Sequence, residues 1–341
     1  MNGFSKIGFV CIVLLFCACQ TKQETKSVPL SNKYATGFRI TDEDTCLLLE
    51  VMEPYTAYRV KTPMLRLGTS SVTQIGFLNE LEALDCVVAV CNPELIYTPL
   101  TEKTIDLGDS MKPSAERALQ ANLDALLVVS YGKSNPEAER LERLGVRTVY
   151  INEWRESTPL ARAEWIRFVG ALTGRLAQAD SIFSLIEQRY NATVSHTDRS
   201  DAQTSVMVGN NFRGTWYMPS GQTYMGYLLR DAHATYPYFD DMREESIPLT
   251  VEQVLHDFAN ADVWIGAQAA SMDELRELDE KHTWFRAYQN GRVYNWRGQF
   301  REGRNNFWER GVVHPEEILG DIVSMLNNAP DSVLHYASQL K

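Results

Sequence analysis

The sequence holds no CxxC pair, no HExxH, no GxSxG, no GxGxxG and no P-loop, and each absence excludes a class of protein. Without paired cysteines or clustered histidines there is no signature of a zinc ribbon or a thioredoxin-type redox centre. The six histidines (His196, His233, His256, His282, His314 and His335) are scattered. A receptor for bare zinc or manganese, which needs several converging ligands, is therefore not expected, and neither a metal site nor a cofactor is assigned. No nucleophile with its base, phosphate-cradling loop or carboxylate pair suggests catalysis, so the chain reads as no enzyme. "GVVHPEE" reads as a helix start and "DEDT" as a solvated hairpin. Basic charge is also scarce: 33 Lys and Arg stand against 44 Asp and Glu, a net charge of −11. Nucleic-acid binding, which needs basic faces against phosphates, is not expected.

What is present begins with an address. "MNGFSKIGFVCIVLLFCACQ" carries one Lys and an apolar run from Ile7 to Phe16, too short to span a bilayer, which takes roughly 20 apolar residues. Phe16-Cys17-Ala18-Cys19 resembles a bacterial lipobox, although Phe16 stands where Leu is usual. The resemblance implies a signal peptide over 1–18, lipidation at Cys19 and a polar tether over 19–36, placing the protein in the cell envelope, lipid-anchored and periplasm-facing. Of the remaining cysteines, Cys46, Cys86 and Cys91, at most one pair can form. The apolar run "CVVAV" between Cys86 and Cys91 points to buried free thiols.

At 341 residues the chain has room for two ordinary domains. Residues 37–60 alternate loosely and predict a leading β-hairpin. From residue 63 short apolar strands ("MLRLG", "CVVAV", "ALLVVS", "VRTVYI") alternate with amphipathic helices, implying a parallel sheet covered on both faces. That N-terminal lobe is assigned to 37–157. Over 158–192 apolar residues recur at helical spacing, Thr158 can cap and Pro159 can open the first turn. A single helix of about 30 residues, roughly 45 Å long, is expected there. Strand and helix alternation resumes over 203–341. The fold class is α/β: two α/β lobes joined by a single long interlobe helix.

One pattern occurs in both lobes. "SAERALQANLDALLVV" (114–129) and "TVEQVLHDFANADVWI" (250–265) each set a hydroxyl residue two positions before a Glu, then a Leu three positions on, then an Asp that opens an apolar strand. Each alone is an ordinary capped helix start. Together with the interlobe helix, the opening "LGTSSVTQIGFLNELEALDCVVAV" and the closing "GRVYN" plus helix, they make residues 63–327 resemble the periplasmic binding proteins of iron-siderophore and cobalamin ABC importers, with a class III architecture. The resemblance implies that Glu116 and Glu252 dock against Arg residues of an ABC permease dimer, and that no enzymatic step is involved. It also implies a ligand between the lobes, where loops leave the carboxyl ends of strands.

Residues 284–310 form a basic, aromatic island in an acidic chain: six Arg against two Glu, with eight aromatics. Arg suits carboxylates and anionic chelate oxygens and stacks on flat rings. The expected ligand contacts are Trp296, Arg297, Arg301 and Arg304 here, Phe212, Arg213, Trp216 and Tyr217 after "TSVMVG", and Asn92, Tyr97 and Tyr131 on the first lobe. Trp308, Tyr224 and Tyr227 read as core. The expected cargo is a metal chelate, a ferric siderophore ahead of a corrinoid such as cobalamin, which arrives with its metal already wrapped. Haem held by a Tyr or His is an alternative within the same fold. A structural or adhesive surface lipoprotein is the alternative of a different class.

Overall fold

In the computed structural model, residues 27–196 and 204–341 are described. Cys19, the signal peptide and the first part of the tether lie outside them. The described chain opens with an antiparallel sheet of β1 (Val28–Pro29), β2 (Phe38–Asp42), β3 (Leu47–Met52) and β4 (Tyr55–Val60), in that order. Phe38, Ile40, Leu49 and Val51 are buried, the period-two pattern of a sheet with one covered face. The expected hairpin is thus part of a four-stranded sheet. Its first strand comes from the stretch assigned to the tether, which from Val28 on is docked. The backbone N–H groups of Lys33, Tyr34 and Ala35 all donate to the buried Glu164 carboxylate at 2.8 Å.

In the N-terminal lobe β5 (Leu67–Thr69), β6 (Val87–Val90), β7 (Ile105–Asp106), β8 (Ala125–Val128) and β9 (Thr148–Tyr150) form a parallel sheet in the order β7-β6-β5-β8-β9. The helices α1 (Val72–Glu80), α2 (Ala115–Gln120) and α3 (Pro136–Arg143) connect them. Cys86 and Cys91 are buried free thiols, and Cys46 is free and half-buried.

The connection between lobes is helical from Pro159 to His196, as α4 (Pro159–Glu164), α5 (Ile166–Thr173) and α6 (Leu176–His196). The connection is thus helical as expected and divided into three helices, of which the 21-residue α6 is the long one; α5 packs back on it, a Cβ on Gly170 falling 2.7 Å from Ala179 Cβ. Gly174 ends α5 at φ +72°, a left-handed conformation that favours glycine, and a Cβ there would meet Pro63 Cγ at 2.6 Å. The first bend falls at the fully buried Trp165, whose ring packs edge-on against Phe38 at 4.9 Å.

In the C-terminal lobe β10 (Val206–Val208) leads to a small antiparallel sheet of β11 (Asn211–Phe212), β12 (Thr215–Met218) and β13 (Ile247–Leu249), with α7 (Tyr224–Asp231) inserted between β12 and β13. There follow α8 (Val251–Phe258), β14 (Val263–Ile265), α9 (Met272–Leu278), α10 (Arg286–Gln289) and β15 (Val293–Asn295). The hairpin β16 (Phe300–Arg301) and β17 (Arg304–Asn305), then α11 (Asn306–Glu309), α12 (Pro315–Leu326) and β18 (Ser338–Gln339), complete it. The sheet order is β10-β14-β15-β18, parallel except for β18.

The repeated pattern has a structural reason. Ser114 and Thr250 cap α2 and α8 by accepting the backbone N–H groups of Arg117 and Gln253. Asp124 Oδ2 then accepts the Leu65 and Arg66 N–H groups just before β5, at 2.8 and 2.9 Å. Asp262 Oδ2 accepts the Ser205 N–H just before β10, at 2.9 Å. Each Asp thus ties its own strand to the start of the neighbouring one.

Candidate functional site

The loops leaving β8 and β9 face the turn after β12, the start of α7 and the loop before β13 across a cleft of about 710 Å³. That volume falls within the few hundred to roughly 1,000 Å³ typical of small-molecule sites. On the N-terminal wall Tyr131 and Trp154 lie with ring centroids 5.7 Å apart and planes tilted by 36°. Tyr131 is 72% exposed, an unusual state for a ring in a lobe whose other aromatics are mostly packed. The Arg155 guanidinium sits 5.3 Å from the Trp154 ring centroid and 2.8 Å from Glu53 Oε2. Glu53 is held there because its carbonyl accepts the Asn152 side-chain N–H at 2.9 Å. The β3–β4 turn of the leading sheet is thereby part of the cleft. A second cavity of about 550 Å³, lined by Met111, Val129 and Leu141 among others, shares Tyr131 and Gly132 with it.

The base of the cleft joins the lobes. Arg162 donates to the Glu156 carbonyl at 2.7 Å and lies 4.3 Å from the Tyr224 ring centroid. Burial lowers the Arg162 pKa and pushes the Tyr224 phenol up to about 12. The Tyr224 hydroxyl has no hydrogen-bond partner among the described residues. Glu156 faces away from the cleft chemistry, accepting the Thr36 and Gly37 N–H groups and the Trp165 indole.

At the other end of the seam the lobes are in direct contact. The buried Glu309 carboxylate accepts the Tyr97 and Thr98 N–H groups at 2.6 and 3.0 Å. Arg301, from the β16–β17 hairpin, donates to the Tyr97 carbonyl at 2.7 Å and stacks on its ring at 4.2 Å, while Arg304 reaches the Glu94 carbonyl at 3.4 Å. A Cβ on Gly76 would lie 2.0 Å from the Glu309 carbonyl oxygen, so α1 and α11 meet backbone to backbone. Beside them Glu80 approaches Arg310 at 3.6 Å and the buried His314 Nε2 at 2.9 Å, the latter off the line of a hydrogen bond. Burial disfavours charge on His314, but Glu316 on Nδ1 and Glu80 overcome it and raise its pKa to about 9. Sheet order separates the two ends: the cleft lies by β8 and β9, the contact by β6 and β15.

Of the expected ligand contacts, Tyr131 lines the cleft. Tyr97, Arg301 and Arg304 are engaged in the interlobe contact. Asn92, at φ +47°, starts its loop and accepts the Ser110 N–H at 2.9 Å. Trp216 is fully buried, donates its indole N–H to the Val208 carbonyl at 2.7 Å and packs on Trp264, His282 and Phe285. It is a core residue because alternation along β12 turns it inward, whereas its neighbour Tyr217 is exposed. Trp296 is nearly buried and stacks on Phe307 at 4.6 Å. Phe212 and Arg213 are exposed on the β11–β12 hairpin, and Arg297 covers the Phe300 ring at 4.0 Å. One reading of a core residue is reversed, since Trp308 is exposed, while Tyr224 packs against the core as expected and also lines the cleft. Tyr227 is half-buried and donates to Gln222 at 2.6 Å.

Sequence reasoning missed Lys133, Trp154, Arg155 and Arg162, all of which line the cleft. The available signal was position: "SYGKSN" and "NEWRES" each directly follow an apolar strand. Glu116 is exposed on α2, and Glu252 is exposed on α8, where it pairs with Lys281 at 2.9 Å and its pKa is lowered chiefly by that contact.

Comparison with known proteins agrees with this architecture. The periplasmic binding protein family model matches residues 71–300, and the chain belongs to that family, whose members bind solutes and are not enzymes. An uncharacterized lipoprotein of Methanocaldococcus jannaschii is 23% identical over 227 residues, which span 66% of this chain and 53% of that one. The chain thus spans about half the length of that curated relative. Among solved structures, the periplasmic heme-binding protein RhuT from Roseiflexus sp. RS-1 superposes with a TM-score of 0.62 at 15% identity, over 78% of this chain and 98% of that one. An ABC-type Fe3+-hydroxamate transport system protein from Saccharomonospora viridis gives 0.59 at 18% identity, over 82% and 99%. These likenesses establish the two-lobed fold.

Proposed function

We propose that this protein is the substrate-binding lipoprotein of an ABC importer, capturing a ferric chelate in the cleft and delivering it to a permease dimer through Glu116 and Glu252. The observation that carries the reading is the make-up of the cleft: exposed rings of Tyr131 and Trp154 beside Lys133 and Arg155, in a volume suited to one compact chelate. On the N-terminal side of the cleft Glu53 and Glu156 are engaged by Arg155 and by backbone amides, so that wall offers rings and cations to a chelate surface. The volume favours a siderophore over a corrinoid, which would project from it. The solved relatives described as acting on Fe3+-hydroxamate and heme support the same range of cargo. Phe212, Arg213, Tyr217 and Arg297 extend the aromatic and basic surface of the C-terminal lobe. Lipid on Cys19 would hold the receptor at the membrane, facing the periplasm.

The test is a fluorescence titration of the full-length chain in mild detergent against ferric hydroxamate, ferric catecholate, cyanocobalamin, haemin and zinc. Trp154→Phe serves as the control for the reporter. Saturable quenching by one ferric chelate, lost in the control, is expected. Quenching by zinc alone, or by none of the five, would overturn the reading.

A further inference from the structure

The two walls of the cleft carry opposite free charge. On the N-terminal wall Lys133 is exposed with no ion-pair partner among the described residues, and Arg155 has only the half-exposed Glu53. On the C-terminal wall Glu244 and Glu245 stand side by side, exposed, and also without a cation among the described residues. The nearest cation in sequence, Arg243, is taken by Asp241, to which its Nε donates at 2.9 Å. These carboxylates are not on a loose tail. Gly221 N–H bonds the Asp241 carbonyl at 3.0 Å, and Ile247, two residues on, pairs with Met218 in the β12–β13 ladder.

A purely anionic chelate seated between such walls would satisfy Lys133 and Arg155 but press its charge on Glu244 and Glu245. Like charges brought together across an interface select against a partner as effectively as attraction selects for one. We propose that the cargo is an amphoteric chelate: anionic chelating oxygens turned to Lys133 and Arg155, and a protonated amine turned to Glu244 and Glu245. This rests on the cleft being the chelate site and narrows the class of chelate that fits it.

Ferrioxamine B, a ferric hydroxamate with a free primary ammonium, and its N-acetylated form differ in that one charge. Titrated by Trp154 quenching at low ionic strength, the full-length chain should bind the amine form about tenfold more tightly, the range two exposed ion pairs can supply. In Glu244→Gln/Glu245→Gln the preference should vanish, while affinity for the acetylated form holds. Added salt should shrink the wild-type preference. Equal binding of both forms by the wild type overturns the proposal. So does an equal loss for both in the double variant, which would assign the carboxylates to a contact with Lys133 across the closed cleft. Tighter binding of a ferric catecholate than of ferrioxamine B overturns the amphoteric assignment and leaves the chelate reading standing. No binding of any ferric chelate overturns both.

Discussion

Tryptophans separate the two roles a large ring can play in this protein. Trp216 is enclosed by three other rings, so Trp216→Ala should cost about 3–5 kcal/mol, read as a lowered midpoint in urea unfolding. Trp154 lies on the cleft wall, so Trp154→Ala should leave that midpoint within about 1 kcal/mol and weaken chelate binding instead. Nothing in "GTWYMPS" or "NEWRES" distinguishes these fates by composition. Inward or outward orientation depends on the register of β12 against β13, which is set by residues about 30 positions away. His314 gives a prediction in pH. Its folded pKa is raised from 6.5 to about 9, so its contribution to stability is complete below about 6.5 and lost as pH rises through about 9. The thermal midpoint of the wild type should fall across that window, and His314→Gln should flatten the fall.

Among elements, the order of strands and helices was legible because apolar runs and caps are local signals. The helical character of 159–196 was legible for the same reason. Its division was not, since Gly174 in an otherwise helical pattern looks like a tolerated weak point until Pro63 is seen against it. The Arg-rich island stood out in the sequence by its charge and its rings, but not by the partners of its members. Arg301 and Arg304 bind the backbone of the other lobe, and a sequence does not say which partner a guanidinium finds. Glu309 tests this contact. Glu309→Ala leaves the Tyr97 and Thr98 N–H groups without acceptors, about 1–3 kcal/mol for each group that stays buried. Hydrogen exchange at those two amides should accelerate markedly, while amides of β8 and β9 keep their protection.

For the whole molecule, Glu116 and Glu252 are exposed at matching places in the two lobes, and exposed charges of this kind chiefly steer and orient an encounter. In the double variant Glu116→Ala/Glu252→Ala, uptake through the permease should fall while chelate affinity is unchanged; undiminished uptake would remove the docking role. Lys281→Ala, which frees Glu252 from its pair, should leave chelate affinity equally untouched.

The joined end of the seam has a consequence for movement. With α1 and α11 in backbone contact and the β16–β17 hairpin fastened over Tyr97, the seam is pinned at that end, and the cleft lies at the other, beside Tyr131 and Trp154. Any parting of the lobes then works as a hinge does, with its pin at the joined end and its widest gap beside Tyr131 and Trp154.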